Sequence, residues 1–148
     1  MTDPAGAPSA FENRCANTAR LLAPCVGYFL ERISFDSSGE EDALDLALRE
    51  GPWKPDVVIS LSRVRHLSLG NPASLSGSFV DEISLVHLPK LPHAWPAGAE
   101  RLVKRFDGLE ELVWLRIVGP ATVDAVASLA TVYTAISDDE ISAAPKRN

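Results

Sequence analysis

The first regular pattern in the chain is a stripe of apolar residues at helical spacing. Four positions fall on one face of a helix: Phe11, Cys15, Ala19 and Leu22. Ser9 and Glu12 have the spacing of a capping box, in which the two side chains satisfy free backbone N–H groups at a helix start. Pro24 cannot continue a helix. The pattern predicts a helix over residues 10–22.

A second capping box, Ser38 with Glu41, precedes another stripe in the segment EEDALDLALREG. The stripe consists of Ala43, Leu44, Ala47 and Leu48. Gly51 and the proline after it are stop signals. The sequence therefore predicts a second helix here.

Runs rich in β-branched and aromatic residues predict strands, because such side chains fit a pleated surface. These runs occupy residues 26–35, 56–60, 79–88 and 111–119. The second run, DVVIS, is short and bounded by turn residues, which is typical of a strand covered on both faces.

Two more segments have helical patterns. Residues 99–108 place apolar residues at i, i+3, i+4 and i+7, which predicts a short amphipathic helix. Residues 122–136 align four polar side chains on one face: Asp124, Ser128, Thr131 and Thr134. This predicts a C-terminal helix, although the many β-branched residues make a strand the alternative.

Alternating helices and strands predict an α/β fold, a single-domain layered sandwich with a mixed, mostly parallel sheet of four or five strands and four helices. The domain covers residues 9–136, and residues 1–8 and 137–148 are expected to be solvated tails. A short leucine-rich-like repeat is an alternative, because LSRVRHLSL, VDEISLVHL and LEELVWLRI share their apolar spacing. Their offsets, 16 and 32 residues, lie outside the roughly 20 to 29 residues of such repeats.

Composition narrows the class of protein. The chain has 148 residues, of which 46% are hydrophobic, and a net charge of −6. The negative charge opposes binding to nucleic acid or to anionic lipid. The start lacks the pattern of a secretory signal, and no apolar run is long enough to span a bilayer. We expect a soluble, cytoplasmic protein.

The sequence carries no motif specific for catalysis or for a cofactor. Five residues could bind a metal: Cys15, Cys25, His66, His87 and His93. None of them shows the closely spaced ligand pairs of zinc sites. No serine has the nucleophile-elbow pattern, and no glycine-rich loop follows a strand. We therefore predict no catalytic residue, no metal and no cofactor.

Two segments carry the side chains most suited to contacting another protein. They are residues 62–71, read as a loop after the DVVIS strand, and the Pro-rich residues 89–98. The predicted protein-contact residues are Arg63, Arg65, His66, Ser68, Asn71, His93 and Trp95. Trp95 either anchors its segment on the core or offers a partner an exposed contact.

The segments DALDLALREGPWKPDVVISLSRVRHLSLGN and LRIVGPATVDAVASL resemble parts of STAS domains, the anti-sigma-factor-antagonist family. The resemblance implies an α/β scaffold and a regulatory role through protein binding. The family's regulatory loop reads Asp-Ser-Ser/Thr-Gly. At those positions this chain has Ser68, Leu69 and Gly70, so the resemblance implies a member that lacks the phosphoacceptor.

The function predicted from sequence is a non-catalytic protein–protein interaction module, either a STAS-like regulator or an immunity-type inhibitor. Its partner is another protein, and self-association is open. One alternative is a small enzyme or ligand-binding domain with a pocket near His66, Ser68 and His87. Another is a structural subunit, which an apolar patch lined by Trp95 and Trp114 would favour.

Overall fold

A computed structural model describes residues 9–37, 41–52, 54–75 and 77–135. Within these ranges it contains one α-helix and six strands. The helix is α1 (Ala10–Leu22), and the strands are β1 (Phe29–Asp36), β2 (Ala43–Arg49), β3 (Asp56–Gly70), β4 (Glu82–Leu88), β5 (Leu112–Val118) and β6 (Thr122–Ala135). The tails predicted for residues 1–8 and 137–148 lie outside the described residues, as does Ser38.

The six strands form one sheet in the order β1-β2-β3-β6-β5-β4. Every neighbouring pair is antiparallel. The predicted α/β sandwich with a mostly parallel sheet and four helices is therefore wrong. The repeat alternative is also wrong, because its three segments lie on β3, β4 and β5, of which β3 and β4 are not neighbours.

The prediction of α1 is confirmed with its cap. Ser9 has an extended backbone and its Oγ accepts a hydrogen bond from the backbone N–H of Glu12 at 3.0 Å. Cys15 and Leu22 from the predicted stripe are buried.

The second predicted helix is instead the strand β2. Its sequence fits the strand period as well as the helical one, because Leu44, Leu46 and Leu48 alternate with other residues as in a half-buried strand. All three leucines are fully buried. Pairing with β1 on one side and β3 on the other satisfies the backbone groups of β2, and this tertiary pairing overrides the local helical pattern.

Residues 62–71 are not a loop, since β3 continues to Gly70. The break in the apolar pattern at Ser62 and Arg63 is a distortion inside this long strand. Arg63 has a left-handed backbone with φ of 54°, and the register with β6 shifts between Val64 and His66. Such a bulge bends a strand without ending it.

The predictions of a C-terminal helix and of a short amphipathic helix are also wrong. The structure has β6 where residues 122–136 were predicted to be helical, in agreement with the strand alternative. Residues 99–108 contain only one turn of 3-10 helix, at Ala99–Arg101.

The sheet curls until its two outer strands meet at one end. The backbone N–H of Leu30 in β1 donates to the carbonyl of Ser78, and the N–H of Val80 donates to the carbonyl of Tyr28. Residues 78–80 lead directly into β4, so β1 and β4 come together here. We call this pairing of residues 27–30 with 78–80 the edge contact.

The inner face of the curled sheet holds the main core. Buried residues from all six strands point to it, among them Leu30, Leu46, Leu61, Leu85, Leu115 and Ala125. The helix α1 packs on this face through Cys15 and Leu22. Burial of this many apolar side chains supplies the main driving force for folding.

A second, smaller cluster lies on the outer face. The connection between β4 and β5, residues 89–111, folds back over it, and we call this segment the crossover. Leu109 and Ala99 from the crossover pack against strand residues Leu112, Trp114 and Val126. The outer face is thus covered at β4, β5 and part of β6.

Candidate functional site

The pocket predicted near His66, Ser68 and His87 does not form. His66 stands opposite Val126 on the outer face, whereas His87 faces α1, with its ring centroid 5.5 Å from that of Phe11. The two histidines therefore lie on opposite faces of the sheet. The Nε2 atom of His66 is buried and has no hydrogen-bond partner among the described residues.

Arg65 forms a charge-assisted hydrogen bond to a carboxylate within the chain. Its Nη2 donates to Oε2 of Glu110 at 2.8 Å, and the buried Ser128 donates to the same oxygen at 2.9 Å. The hydrogen bond from Arg65, followed by that from Ser128 and the charges of Arg63 and Arg65, holds the pKa of Glu110 below its ordinary value, against the opposing effect of burial. This network ties β3 to β6 and to the end of the crossover.

Arg63 and Asn71 also have partners within the chain. The Nε of Arg63 lies 3.8 Å from Oε2 of Glu41, and both side chains are more than half exposed. Asn71 donates its side-chain amide to Oγ of Ser74 and to the carbonyl of Pro120, each at 3.0 Å. Asn71 therefore fixes the corner after β3.

Trp95 anchors the Pro-rich segment. Its indole N–H donates to the carbonyl of Pro89 at 2.7 Å, and the ring packs against the second core cluster. The guanidinium of Arg105 lies 4.5 Å from the Trp95 ring centroid and donates to the carbonyl of the exposed His93 at 2.7 Å. Trp114 is buried below the crossover, so these two tryptophans do not form an exposed patch.

His87 belongs to a contact between α1 and the sheet. Its Nε2 lies 2.8 Å from Oε1 of Glu111, which also accepts a hydrogen bond from the Ser9 hydroxyl at 3.3 Å. The nearby Cys15 is buried, and burial followed by the charge of Glu111 raises the pKa of its thiol to about 11. A thiol that stays protonated at neutral pH is a poor nucleophile. This cluster fastens the start of α1 to β4.

A polar row crosses the outer face beside the crossover. In the strand register Ser68 stands opposite Asp124, Asp124 opposite Arg116, and Arg116 opposite Ser84. Asp124 accepts a hydrogen bond from the indole N–H of Trp114 at 2.9 Å, and its Oδ1 lies 3.6 Å from Nε of Arg116. We call these four opposed residues the polar row.

The polar row borders an open groove of about 360 Å³. Its lining combines two carboxylates, a hydroxyl, a guanidinium and three apolar side chains: Asp81, Glu82, Ser84, Arg116, Val26, Ile83 and Val118. The groove lies next to the edge contact, where Asp81 donates its backbone N–H to the carbonyl of Val118 at 2.7 Å. We call it the Arg116 groove.

The groove was not predicted from the sequence, although the sequence contains one signal of it. Arg116 is the only charged residue within β5, whose other side chains are apolar. A lone exposed charge in such a strand marks a face that meets solvent. The acidic residues Asp81 and Glu82 could not be joined to Arg116 from sequence, since only the antiparallel pairing of β4 with β5 places them together.

The described ranges lack two further features. They contain no group of three or more histidine, cysteine, aspartate or glutamate side chains placed to hold a metal ion. None of their helices has the length and apolar character needed to cross a bilayer.

The fold and the groove define an antiparallel β protein with one packed helix and a charged groove on its outer face. Comparison with protein-family models, curated proteins and solved structures gives no match. The α/β scaffold that the STAS resemblance implies is not the fold of this chain.

Proposed function

We propose that this chain is a non-catalytic module that binds a basic segment of another protein in the Arg116 groove. The supporting observation is the charge of the groove. Two carboxylates, Asp81 and Glu82, line the groove together with a single guanidinium, and that guanidinium already has Asp124 beside it. The groove therefore favours Lys and Arg side chains of a partner over acidic ones.

The shape of the groove supports a protein segment as the occupant. It is open to solvent, and Val26, with 53% of its surface exposed, supplies an apolar wall. The outer edge of β4, with which no described strand pairs beyond Val80, borders the groove. Glu82 and Ser84 direct their backbone groups to this edge, away from β5. An extended peptide matches this combination of backbone groups, charge and apolar contact.

Binding rather than turnover is favoured by how the reactive groups are used. His87 and Cys15 hold α1 on the sheet, and neither lines the groove. Within the class of binding modules, an immunity-type inhibitor of a basic protein fits the net charge of −6, because opposite charge accelerates association.

The experiment compares three full-length chains, wild type, Glu82→Lys and Asp107→Lys, as baits in an extract of the native host. Asp107 is an exposed carboxylate on the crossover, so Asp107→Lys makes the same charge change outside the groove. We expect one basic protein to be retained by wild type and Asp107→Lys and lost from Glu82→Lys. Hydrogen exchange of the purified complex should slow at residues 81–84 and 114–118.

Equal capture of the partner by all three chains would contradict the proposal. So would hydrogen-exchange protection confined to another surface. A partner that acts on a small-molecule substrate together with this chain would favour an enzyme subunit instead.

A further inference from the structure

The strand β1 has a backbone edge that no described segment occupies beyond the edge contact. It pairs with β2 on one side along its whole length. On the other side, residues 78–80 pair with it only up to Leu30. Its side chains are largely exposed, with 46% of the Phe35 surface open to solvent. An unpaired edge of this kind can accept another strand.

The register identifies which backbone groups point to this edge. Leu30 directs its N–H to Ser78, away from β2, so its pair with Leu48 is not hydrogen-bonded. One residue of β1 is bulged out between Leu30 and Arg32. Because backbone groups alternate in direction along a strand, the N–H and C=O groups of Ile33 and Phe35 then point to the edge away from β2.

The neighbouring strand gives an independent check. Alternation along β2 directs the carbonyl of Asp42 to β3, and it does accept the N–H of Val64 at 3.1 Å. By the same alternation the backbone N–H and C=O groups of Leu44 and Leu46 point to β3. The N–H and C=O groups of their partners Phe35 and Ile33 therefore point to the other edge of β1, where no described residue pairs with them.

The side chains of residues 32–36 are complementary to those of an identical strand that runs antiparallel to this one. Residues 32–36 read Arg-Ile-Ser-Phe-Asp. Paired antiparallel with an identical strand about Ser34, Arg32 meets Asp36 and Ile33 meets Phe35, and each pair occurs twice. Opposite charges and apolar pairs directly across two strands stabilise a sheet.

We propose that β1 pairs antiparallel with β1 of a second copy of this chain, with Ser34 facing its equivalent across a twofold axis. The two Ile33–Phe35 pairs then exchange about four backbone hydrogen bonds. The Ile33 and Phe35 side chains cover each other at the rim of the inner face, and Arg32 faces Asp36 on the outer face. The sheet becomes continuous through both copies.

The alternative registers fit less well. If one β1 strand slides along the other, the backbone groups of Ile33 and Phe35 stay directed at the partner strand only for shifts of two residues. One such shift places Glu31 opposite Phe35, and the other places Ser34 opposite Asp36. The edge contact blocks pairing up to Leu30, so the segment 32–36 is centred in the available part of the strand. Arg32 makes no ion pair or hydrogen bond within the described ranges and is available to the second copy. Asp36 already has an interaction within its own chain, so in the dimer its carboxylate is shared with Arg32 of the second copy.

Cysteine cross-linking tests the register. In the proposed pair the two Ser34 residues are directly opposed, at a separation of about 4.5 to 5.5 Å that a disulfide can bridge. The two Arg32 residues are about 13 Å apart along the strands, which is too far. Under mild oxidation we expect full-length Ser34→Cys to form a covalent dimer and Arg32→Cys to remain monomeric. The native Cys15 and Cys25 are buried, and wild type serves as their control.

Charge reversal tests the same contact without a cross-link. Arg32→Asp and Asp36→Arg each place like charges opposite one another twice, so each should weaken self-association about tenfold in sedimentation velocity. An equal mixture of the two variants makes both cross-strand pairs attractive again, and it should recover the dimer.

The proposal is overturned if wild type sediments as a monomer at every soluble concentration and Ser34→Cys cross-links no faster than Arg32→Cys. It is also overturned if the mixture of charge variants associates no better than either variant alone. Faster cross-linking of Ile33→Cys or Phe35→Cys would show one of the shifted registers. These outcomes are independent of the Arg116 groove, which lies on β4 and β5.

Discussion

Trp114 and Asp124 are joined across β5 and β6 by a hydrogen bond of 2.9 Å from the indole N–H to the carboxylate. Trp114 is 9% exposed, so its N–H has little access to water. The same carboxylate lies beside Arg116. The contact therefore joins the second core cluster below the crossover to the polar row beside the groove.

Asp124→Ala should destabilise the fold by about 1 to 3 kcal/mol, because it leaves the buried indole N–H without an acceptor. Asp124→Asn keeps an acceptor oxygen and loses only the charge beside the half-exposed Arg116, a contact of small value. Urea unfolding of the two variants should therefore separate them, with Asp124→Asn closer to wild type. Equal losses would show that the indole bond contributes little.

Gly119→Ala should destabilise the protein by about 1 to 3 kcal/mol or more. A β-carbon at Gly119 would overlap the backbone carbonyl oxygen of Phe79, which belongs to the edge contact and cannot rotate away. Gly51→Ala is the matched control, since no atom lies within 4 Å of its new methyl group and its backbone is outside the left-handed region. Thermal unfolding should show a clear loss for the first variant and little change or a small gain for the second. Equal melting temperatures would contradict the close approach of Gly119 to Phe79.

The Glu110 carboxylate should stabilise the fold above pH 4.5, its ordinary pKa. Because the hydrogen bond from Arg65 lowers the folded-state pKa, the unfolded chain binds more protons between the two values, and this stability is lost as the pH falls through the folded pKa. The difference in unfolding free energy between wild type and Glu110→Gln should therefore shrink on acidification. Arg65→Met removes the main cause of the shift and should reduce the same pH dependence. Parallel stability curves for wild type and Glu110→Gln would contradict this role.

The native thiols should be unreactive at pH 8 in the folded protein. With a pKa of about 11, only about one Cys15 thiol in a thousand is ionised at that pH. Burial also raises the pKa of Cys25. A chromogenic disulfide reagent should label both cysteines only after unfolding in urea, whereas an exposed thiol introduced by Asp107→Cys should react at once. Rapid labelling of the folded wild type would contradict the burial of both residues.

Residues whose structure depends on near neighbours were predicted well. The helix α1 has the predicted bounds and the predicted Ser9 cap, since capping and a helical stripe are local properties. The strands β1, β4 and β5 lie within a few residues of the predicted runs. Their β-branched and aromatic side chains favour an extended backbone in most contexts.

The wrong secondary-structure predictions are in segments whose residues fit both the helical period and the strand period. In β2 the leucines at alternate positions fit a strand, while Ala43 and Ala47 with two of the leucines fit a helical stripe. In β6 the polar residues fit a helical face, while Val123, Ala125 and Ala127 alternate into the core. A short apolar segment does not reveal which period applies until its neighbours supply hydrogen bonds.

The site illustrates the same limit. The sequence identified Arg65 as a cation of interest, but its partner Glu110 lies 45 positions away. It marked Ser68 as a contact residue, yet the polar row that contains Ser68 exists only because β3, β6, β5 and β4 lie side by side. The Arg116 groove was not predicted from sequence at all.

The sequence by itself determined the helix α1 with its cap, the apolar residues of the core, the acidic net charge and the strand-forming character of β1, β4 and β5. These follow from the chemistry of residues close together along the polypeptide. The tertiary structure decided the antiparallel order of the strands, the curling of the sheet and the juxtaposition of charges at the groove. Those depend on contacts between distant segments, whose free energy exceeds local preference only when the whole sheet has formed.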